Sequence, residues 1–344
     1  MKATYHKYYL NFKQPSGTSR GILKTKETWF IIIESNEKKG IGECGILRGL
    51  SIDDRLDYEK QLQWTCAHIH LGLDALYNSN IEFPSIQFGL EMAFKSLESH
   101  DMFELFPSEF TKGNDSIQIN GLIWMGTEAF MRKQIREKIE TGFSCIKMKI
   151  GAIDFQTEIN LLKSIRKEFS ADDIELRVDA NGAFKPDEAL EKLKVLSDFD
   201  LHSIEQPIQQ GQFESMARLC EHTPLPIALD EELIGVFSSV KKEELLQTIK
   251  PQYIILKPSF IGGIKGGNAW IDRAKKHNID WWITSALESN VGLNTIAQWT
   301  YTLHNKVHQG LGTGILFSNN FESPLQVKSG TLRYDNMINW NFNL

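Results

Sequence analysis

The sequence predicts an α/β fold in which a (β/α)₈-type barrel follows an N-terminal α+β capping domain. Three observations lead to this fold class. From about residue 116 the pattern changes, and short apolar strands alternate with amphipathic helices. About eight such units fit into about 210 residues, as in a parallel barrel built from right-handed crossovers. Nearly every one of these strands ends in an ionisable or small polar residue.

The first domain, residues 1–110, begins with segments that alternate polar and apolar residues, which predicts an antiparallel meander. A turn is expected at 35–40, and helices are expected at 54–77 and 86–105, where apolar residues recur at helical spacing. The predicted strands are YHKYYLNF (5–12), GILKTKETWFIIIES (21–35) and KGIGECGIL (39–47).

The second domain, residues 111–319, carries the strand–helix units of the barrel. Amphipathic patterns such as TEAFMRKQIREKIE (127–140) predict helices between the strands. The predicted strands are SIQINGL (116–122), FSCIKMKI (143–150), DIELRVD (173–179), LHSIE (201–205), PIALD (226–230), YIILK (253–257), DWWITS (280–285) and a last one near VHQGLG (307–312).

An open doubly wound sheet is the alternative to a barrel. Such a sheet usually opens with a strand–GxGxxG–helix segment, and this sequence has none. The glycine-rich run GGIKGGN (262–268) lacks that spacing and follows a late strand. We interpret it as a tight loop into a helix N-terminus, with a phosphate cradle as the minor alternative.

Composition is that of a soluble globular protein, with 344 residues, 41% hydrophobic and 24% charged. The net charge of −6 favours neither nucleic acid nor an anionic membrane as a partner. No run is long enough to span a bilayer, and the N-terminus lacks the apolar core of a signal peptide. Four scattered cysteines without a CxxC pair indicate a reduced, cytoplasmic protein.

The polar residues at the strand ends form the strongest functional signal. In a barrel, the C-terminal ends of the strands converge on one mouth, where active sites lie. Successive members of this set lie about 25 to 30 residues apart, roughly one strand–helix unit. The set consists of Lys147, Lys149, Asp179, Glu205, Asp230, Lys257 and Ser285.

Three carboxylates in one small site repel one another, and a divalent cation removes this repulsion. Oxygen ligands without His or Cys favour Mg²⁺ or Mn²⁺ over zinc. The sequence therefore predicts a metal held by Asp179, Glu205 and Asp230, with Lys149 and Lys257 on opposite sides of a metal-bound substrate.

Lys147 and Lys149 are two residues apart in a strand, so their side chains share one face. One interpretation is an edge strand whose lysines discourage aggregation. The other is that one lysine acts as a base while its neighbour lowers its pKa. Metal and lysine together suit removal of a proton alpha to a carboxylate, with the resulting enediolate held by the metal.

Several motifs, in the expected order, make the sequence similar to the muconate-lactonizing subgroup of the enolase superfamily. The segments ITSALESNVGLNT (283–295) and GLGTGILF (310–317) resemble the seventh and eighth strands of its o-succinylbenzoate synthases. The N-terminal meander resembles the family's capping domain. The other matching motifs are KMK (147–149), RVDANGAF (177–184), SIEQP (203–207), LDE (229–231) and LKPSFIGG (256–263).

The resemblance implies a role for each site residue. Asp179, Glu205 and Asp230 would bind Mg²⁺, and Lys149 would remove the alpha proton of a cyclohexadiene carboxylate and then assist departure of its hydroxyl. Lys257 would remain cationic and stabilise the enediolate, with Lys147 supporting Lys149. Ser285 and the backbone near Gly310 would receive the succinyl tail. Menaquinone biosynthesis would be the pathway.

The resemblance also implies that residues 14–21 and 44–51 form loops over the mouth and that residues 320–344 return to the cap.

The strand-end lysines and carboxylates are called the ring below, and several residues close to it carry their own expectations. Asn181 is expected near the metal ligands or in a turn, and Arg177 is expected to pair with a carboxylate of the ring or the substrate. Glu231 should point away from the metal, Glu288 should pack near the seventh helix, and His202 should be structural because its strand begins there.

Rival functions use the same residues. N-succinylamino acid racemases and dipeptide epimerases share the ring, but many epimerases carry an Asp-x-Asp pair at the eighth strand where this chain has GLGTG. Many synthases have Asp where this chain has Gly312. A metal- and ligand-binding barrel without catalysis and a Schiff-base aldolase using Lys149 or Lys257 are further alternatives. The sequence does not indicate an oligomeric state.

Overall fold

The capping domain is a three-stranded antiparallel sheet covered by helices. A computed structural model describes residues 1–18 and 21–344, so the predicted loop 14–21 lies partly outside the described residues. The predicted helix 54–77 is divided in two by a 3₁₀ turn at Ile69–Leu71 and by Gly72, whose φ is 81°. The elements are β1 (Lys2–Thr18), β2 (Gly21–Ser35), β3 (Lys38–Gly45), α1 (Tyr58–Ala67), α2 (Leu73–Ser79) and α3 (Pro84–Glu98).

The second part of the chain forms a seven-stranded parallel sheet whose strands follow one another in chain order. Helices lie outside it, because each strand is followed by a segment with an apolar stripe. The sheet strands and the helices between them are β5 (Gly121–Ile123), α4 (Glu128–Glu140), β6 (Cys145–Lys149), α5 (Phe155–Glu168), β7 (Glu175–Asp179), α6 (Pro186–Ser197), β8 (Ser203–Glu205), α7 (Phe213–His222), β9 (Ile227–Leu229), α8 (Ser239–Ile249), β10 (Tyr253–Leu256), α9 (Pro258–Ile261), α10 (Gly263–Lys276), β11 (Asp280–Ile283) and α11 (Asn290–Thr302). The preceding strand, β4 (Ser116–Gln118), is not part of this sheet.

The ring of strands closes through two residues rather than a full eighth strand. Gly310 forms a parallel bridge to Thr284 on one side, and Gln309 forms one to Ile119 on the other. Backbone hydrogen bonds of 2.8–3.0 Å run from this segment to Ile283 and Asn120. The predicted α/β barrel with an α+β cap is therefore confirmed, with an eighth strand that is shorter than expected.

The C-terminal segment contacts both parts of the molecule. A hairpin of β12 (Leu325–Lys328) and β13 (Thr331–Tyr334) pairs with β4 beside the barrel. Phe321, Trp340 and Phe342 pack with Phe30 of the cap sheet. Residues 320–344 therefore contact the cap sheet through their aromatic side chains and β4 through the hairpin.

The cap is attached to the barrel through carboxylates at the N-termini of two barrel helices. Glu43 of β3 accepts hydrogen bonds from the backbone of Ser289 and Gly292 at 2.9 Å each, at the start of α11. Glu91 of α3 accepts them from Ile264 and Lys265, at 2.6 and 2.9 Å, at the start of α10. Helix N-termini favour negative charge because their first N–H groups have no partner within the helix.

This docking corrects the minor alternative for GGIKGGN (262–268). A phosphate cradle would need free amides at the start of α10, and the Glu91 carboxylate already occupies those of Ile264 and Lys265. A Cβ on Gly263 would lie 2.0 Å from the Glu91 carboxylate. Gly263 therefore allows the Glu91 carboxylate of the cap to approach the start of α10, which leaves no phosphate site there.

Replacing Glu43 by alanine is expected to lower the free energy of unfolding by about 3 kcal/mol, because a fully buried acceptor is lost and several donors are left unpaired. Besides the two amides, it accepts hydrogen bonds from the hydroxyls of Thr28 and Ser289. Urea unfolding measures the change. The control is Glu34→Ala in the same sheet, since Glu34 is about half exposed. Equal stability of the two variants would contradict this account of the docking.

Asp53 is expected to make the stability of the cap depend on pH. It is fully buried and accepts hydrogen bonds from the backbone and hydroxyl of Ser85, at 2.9 and 2.6 Å, in the first turn of α3. Burial raises the pKa of Asp53 to about 6 despite these hydrogen bonds, from roughly 3.9 in an unfolded chain. Folding therefore favours the protonated form, and stability from this group falls as the pH rises from about 4 to 6.

The expected result is that Asp53→Asn gains up to about 3 kcal/mol relative to the wild type between pH 4 and pH 7, because asparagine does not titrate. Urea unfolding at several pH values tests this. Asp74→Asn is the control, since Asp74 is almost fully exposed. A difference between wild type and Asp53→Asn that stays constant with pH would contradict the prediction.

All four cysteines are buried and free of disulfides. In the described part of the chain, no helix combines the length and apolarity that crossing a membrane requires.

Candidate active site

The predicted charged residues meet at the C-terminal ends of neighbouring strands. The sheet register places Lys149 of β6 beside Asp179 of β7, and Asp179 beside Glu205 of β8. Asp230 and Lys257 directly follow β9 and β10. Five strands therefore each contribute one or two charged side chains to the same mouth of the barrel, where the C-terminal ends of parallel strands converge.

Ion pairs connect the lysines to the carboxylates. Asp179 Oδ2 lies 3.0 Å from Lys147 Nζ and 2.9 Å from Lys149 Nζ. Lys147 Nζ also lies 2.6 Å from Glu205 Oε2, and Lys257 pairs with Asp230. Because all these side chains are buried or nearly so, the interactions are much less screened than at a surface.

The two neighbouring lysines differ in basicity. Burial lowers the pKa of Lys149, and the Lys147 and Lys257 ammoniums lower it further, against the opposing attraction of Asp179. Burial acts on Lys147 as well, but Asp179 and Glu205 outweigh it and raise its pKa. Lys149 is therefore the lysine that loses its proton more easily.

The carboxylates also differ. Burial raises the pKa of Glu205, whereas Lys147 and Lys149 outweigh burial and hold the pKa of Asp179 well below its usual range. For Lys257, the effect of burial is more than offset by Asp230 and Glu231, so its pKa is raised. Lys257 remains a cation.

Asn181 and Glu231 support the ring. The Asn181 side chain accepts a hydrogen bond from Lys149 Nζ at 2.6 Å and donates one to Glu231 at 3.0 Å. Its φ of 45° places it in the left-handed region, which asparagine tolerates. The expectation that Glu231 points away from the site is wrong, because β9 ends at Leu229 and the chain turns into a 3₁₀ helix at Glu231.

The donor set fits a hard divalent cation. One oxygen of Glu205, Oε1, is buried without a hydrogen-bond partner among the described residues, although buried carboxylate oxygens are normally satisfied. Three carboxylates without His or Cys are the ligands that Mg²⁺ prefers. The described residues also hold a His/Cys/Glu cluster of Cys145, Glu175 and His308, but Glu175 there is paired with Arg177.

A cavity of about 460 Å³ lies above the ring and is bounded by both domains. Part of its wall comes from the cap, within the two predicted loops, and includes Gln14, Pro15, Ser16, Leu47, Arg48 and Leu50. Among the predicted residues, Lys147, Lys149, Asp179, Asn181, Lys257, Ser285 and Gly310 line it.

Ser285 and Gly310 lie at the cavity wall, but the Ser285 hydroxyl is already engaged. It donates to Glu288 at 2.5 Å and accepts from Thr313 at 2.8 Å. Glu288 is fully buried and also accepts from Ser259, so it packs at the start of the seventh helix as expected. A Cβ on Gly310 would lie 2.5 Å from the Thr284 hydroxyl, so this position requires glycine.

The predicted contact of Arg177 with a ring carboxylate or the substrate is wrong. Its guanidinium bonds Glu175 at 2.7 Å and the His308 carbonyl at 3.0 Å, and it lies over the Trp282 ring. These partners lie toward the N-terminal end of the barrel, because Glu175 begins β7. His202 packs there as well, against the Trp282 ring, consistent with a structural role.

Several lining residues were not predicted from the sequence. Apolar side chains form much of the cavity wall, and Arg48 reaches it from the cap while paired with Glu27 and Asp54. Their positions in or next to the predicted loops and strand ends could have indicated from the sequence that they line the cavity. The unpredicted apolar lining residues include Leu23, Leu122, Trp124, Leu287 and Leu316.

Comparison with known families covers both parts of the chain. The profile of "MenC, N-terminal domain" matches residues 1–97, and that of "Enolase C-terminal domain-like" matches residues 130–336. The chain is 45% identical to an o-succinylbenzoate synthase from Desulfotalea psychrophila, over 96% of this chain and 98% of the relative.

Solved structures agree with this comparison. The crystal structure of MenC from the same organism superimposes with a TM-score of 0.86 at 41% identity, covering 97% of this chain and 99% of that one. The L-Ala-D/L-Glu epimerase from Bacillus subtilis, with a TM-score of 0.80 at 20% identity over 97% and 96% of the two chains, shares the fold. The chain therefore belongs to the enolase superfamily and, within it, to the o-succinylbenzoate synthase family.

Proposed function

We propose that this chain is an o-succinylbenzoate synthase that dehydrates 2-succinyl-6-hydroxy-2,4-cyclohexadiene-1-carboxylate to 2-succinylbenzoate. Membership of the family supports the reaction, and menaquinone biosynthesis is the pathway that it implies. The observation that carries the chemistry is the ring of three lysines and three carboxylates beneath the cavity.

Lys149 is the proposed base. It borders the cavity and has the lowered pKa among the three lysines. A neutral Lys149 takes the proton alpha to the ring carboxylate. The resulting ammonium then donates its proton to the departing 6-hydroxyl, which leaves as water, and the ring becomes aromatic.

Lys257 and Lys147 are proposed to remain protonated. Lys257 borders the cavity from the other side of the ring and provides positive charge where the substrate carboxylate gains negative charge. Lys147 holds Asp179 and Glu205 in place and disfavours the charged form of Lys149.

Members of this superfamily use a divalent metal, and we propose Mg²⁺, with Mn²⁺ as a possible substitute, held by Asp179, Glu205 and Asp230. When bound, such an ion supplies Lewis-acid stabilisation of a carboxylate that accumulates negative charge. The unpartnered oxygen of Glu205 supports this ligand set.

A racemase or epimerase is the rival, because it uses the same proton removal. A dipeptide substrate brings a free amine, which requires a carboxylate in the binding cavity. Among described residues, the only carboxylates that line the cavity are Asp179, within the ring, and Glu137 of α4. Glu137 lies on α4, whereas Gly310 and Gly312 line the cavity at the eighth-strand position, so that part of the wall offers no carboxylate to the amine of a dipeptide.

The test is an assay of purified protein with Mg²⁺ on the cyclohexadiene substrate, followed by the appearance of the aromatic product. A parallel assay measures deuterium exchange of N-succinylamino acids and Ala-Glu dipeptides in D₂O. Aromatisation is the expected result. Exchange without aromatisation would assign racemase or epimerase activity instead, and no turnover in either assay with metal bound would refute the substrate class.

A further inference from the structure

A fully buried glutamine connects two of the proposed metal ligands. Gln206 directly follows Glu205 at the end of β8, and no part of it is exposed to solvent. It is not among the described residues that line the cavity, so it does not reach a substrate held there. The mechanism proposed above gives this residue no role.

The Gln206 amide forms hydrogen bonds through both of its ends. Its oxygen accepts them from the backbone N–H groups of Asp230 and Glu232, at 3.2 and 3.3 Å. Its nitrogen donates to the Ile208 carbonyl at 3.1 Å and to the Glu232 carboxylate at 2.8 Å. Because backbone N–H groups only donate and a carbonyl only accepts, these partners fix the orientation of the amide. The residue next to Glu205 therefore holds the backbone of Asp230 directly.

The backbone of Gln206 extends this connection to the strand of the third proposed ligand. Its N–H donates to the Ala228 carbonyl of β9 at 2.9 Å, and its carbonyl accepts from the Gly182 N–H at 2.7 Å. Gly182 lies three residues after Asp179, in the turn that follows β7. Gln206 thus joins the C-terminal ends of β7, β8 and β9, and each of these ends carries one proposed ligand.

The backbone conformation of Gln206 is strained. Its φ is 37°, in the left-handed region that residues other than glycine, asparagine and aspartate rarely occupy. Pro207 follows it, and a residue before proline prefers an extended backbone. Such outliers persist only where surrounding contacts hold them, and they cluster at functional sites. The hydrogen bonds of Gln206 provide those contacts.

We propose that Gln206 is a positioning residue that fixes the spacing of Glu205 and Asp230 and thereby makes the metal site selective for Mg²⁺ over the larger Ca²⁺. Mg²⁺ requires nearly ideal octahedral geometry at about 2.0–2.1 Å, whereas Ca²⁺ accepts variable geometry at about 2.3–2.6 Å. A rigid connection between two ligands therefore favours the smaller ion. This inference rests on the proposed function, because it takes Glu205 and Asp230 as metal ligands.

The test compares Gln206→Met with the wild type by calorimetric titration with Mg²⁺ alone and with Ca²⁺ alone. Methionine keeps the length of the side chain and removes both hydrogen-bonding ends of the amide. Gln206→Met is expected to weaken Mg²⁺ binding about 10- to 100-fold, the usual effect of losing a group that orients a metal ligand. Ca²⁺ binding should weaken by less than about 3-fold, since this ion tolerates displaced ligands.

Gln309→Met is the matched control. Gln309 is also fully buried in the barrel, and its amide accepts from the Ile283 N–H at 2.7 Å and donates to the Val307 carbonyl at 2.6 Å. This variant loses hydrogen bonds of the same kind away from the proposed ligands, so it should leave the ratio of the Mg²⁺ and Ca²⁺ affinities unchanged. Urea unfolding of both variants measures the loss of stability separately.

A second variant applies if Gln206→Met does not fold. Gln206→Asn keeps an amide and suits the left-handed backbone, but its side chain is one methylene shorter and should lose the hydrogen bonds to Asp230 and Glu232. It should show the same selective loss of Mg²⁺ affinity.

Equal weakening of both ions in the Gln206 variants would indicate a structural role only and would overturn the proposal, as would an unchanged Mg²⁺ affinity. A wild type that binds no Mg²⁺ would overturn it together with the ligand set. The titrations require no turnover. Mg²⁺ binding without aromatisation therefore refutes the proposed reaction, while the two titrations still decide the role of Gln206.

Discussion

Replacing Lys149 by alanine is expected to lower kcat for aromatisation by at least about 10³-fold, since general-base catalysis commonly contributes 10²- to 10⁴-fold and this residue serves in two proton transfers. The affinity for 2-succinylbenzoate should change much less, because Lys257 and the metal site remain. Steady-state kinetics and direct titration of the product separate the two effects.

Two comparisons identify the function of this lysine. Lys149→Arg keeps a cation at the same place, but a guanidinium does not give up its proton, so we expect this variant to be as inactive as Lys149→Ala. Lys163→Ala, at an exposed position of α5, should be fully active. High activity of Lys149→Arg together with inactivity of Lys257→Ala would assign the base to Lys257 instead.

Loss of the metal is expected to have a comparable effect. Treatment with a chelator should abolish aromatisation, and Mg²⁺ should restore it, with Mn²⁺ as the second ion to be tested. Glu205→Gln preserves the size of the side chain but removes the negative charge and one metal-binding oxygen. This variant should bind Mg²⁺ at least about 100-fold more weakly, since hard cations prefer carboxylate oxygens.

Calorimetric titration with Mg²⁺ and Mn²⁺ measures this affinity without reference to activity. Glu191→Gln is the control, because Glu191 is largely exposed on α6 and should not alter metal binding. Normal Mg²⁺ affinity in Glu205→Gln would remove Glu205 from the ligand set. Full activity after exhaustive chelation would refute a metal-dependent reaction.

The ring of lysines and carboxylates was predictable from the sequence because a charged residue recurs at the end of successive short apolar strands. Each member ends a short apolar strand, and a regular interval separates the strands, so the barrel rule alone brings them to one mouth. The same rule failed for Arg177, which shares a strand face with Asp179. Its long side chain reaches Glu175 and the His308 carbonyl, so its position depends on partners distant in sequence.

The contacts between the domains were not predictable for the same reason. Nothing next to Glu43 or Glu91 in the sequence indicates that their carboxylates bind the starts of α11 and α10. Glu231 was misplaced because the strand ends one residue earlier than expected and the chain then turns.

The sequence by itself determined the order of elements, the fold class and the residue types at the barrel mouth, because these depend on periodicity and on the length of each unit. Only the tertiary structure decided which of those groups are available to a substrate. It shows that the Ser285 hydroxyl is already engaged by Glu288 and Thr313, while Lys149 and Lys257 line the cavity. Pairing and burial arise from contacts between distant segments, which a one-dimensional pattern does not record.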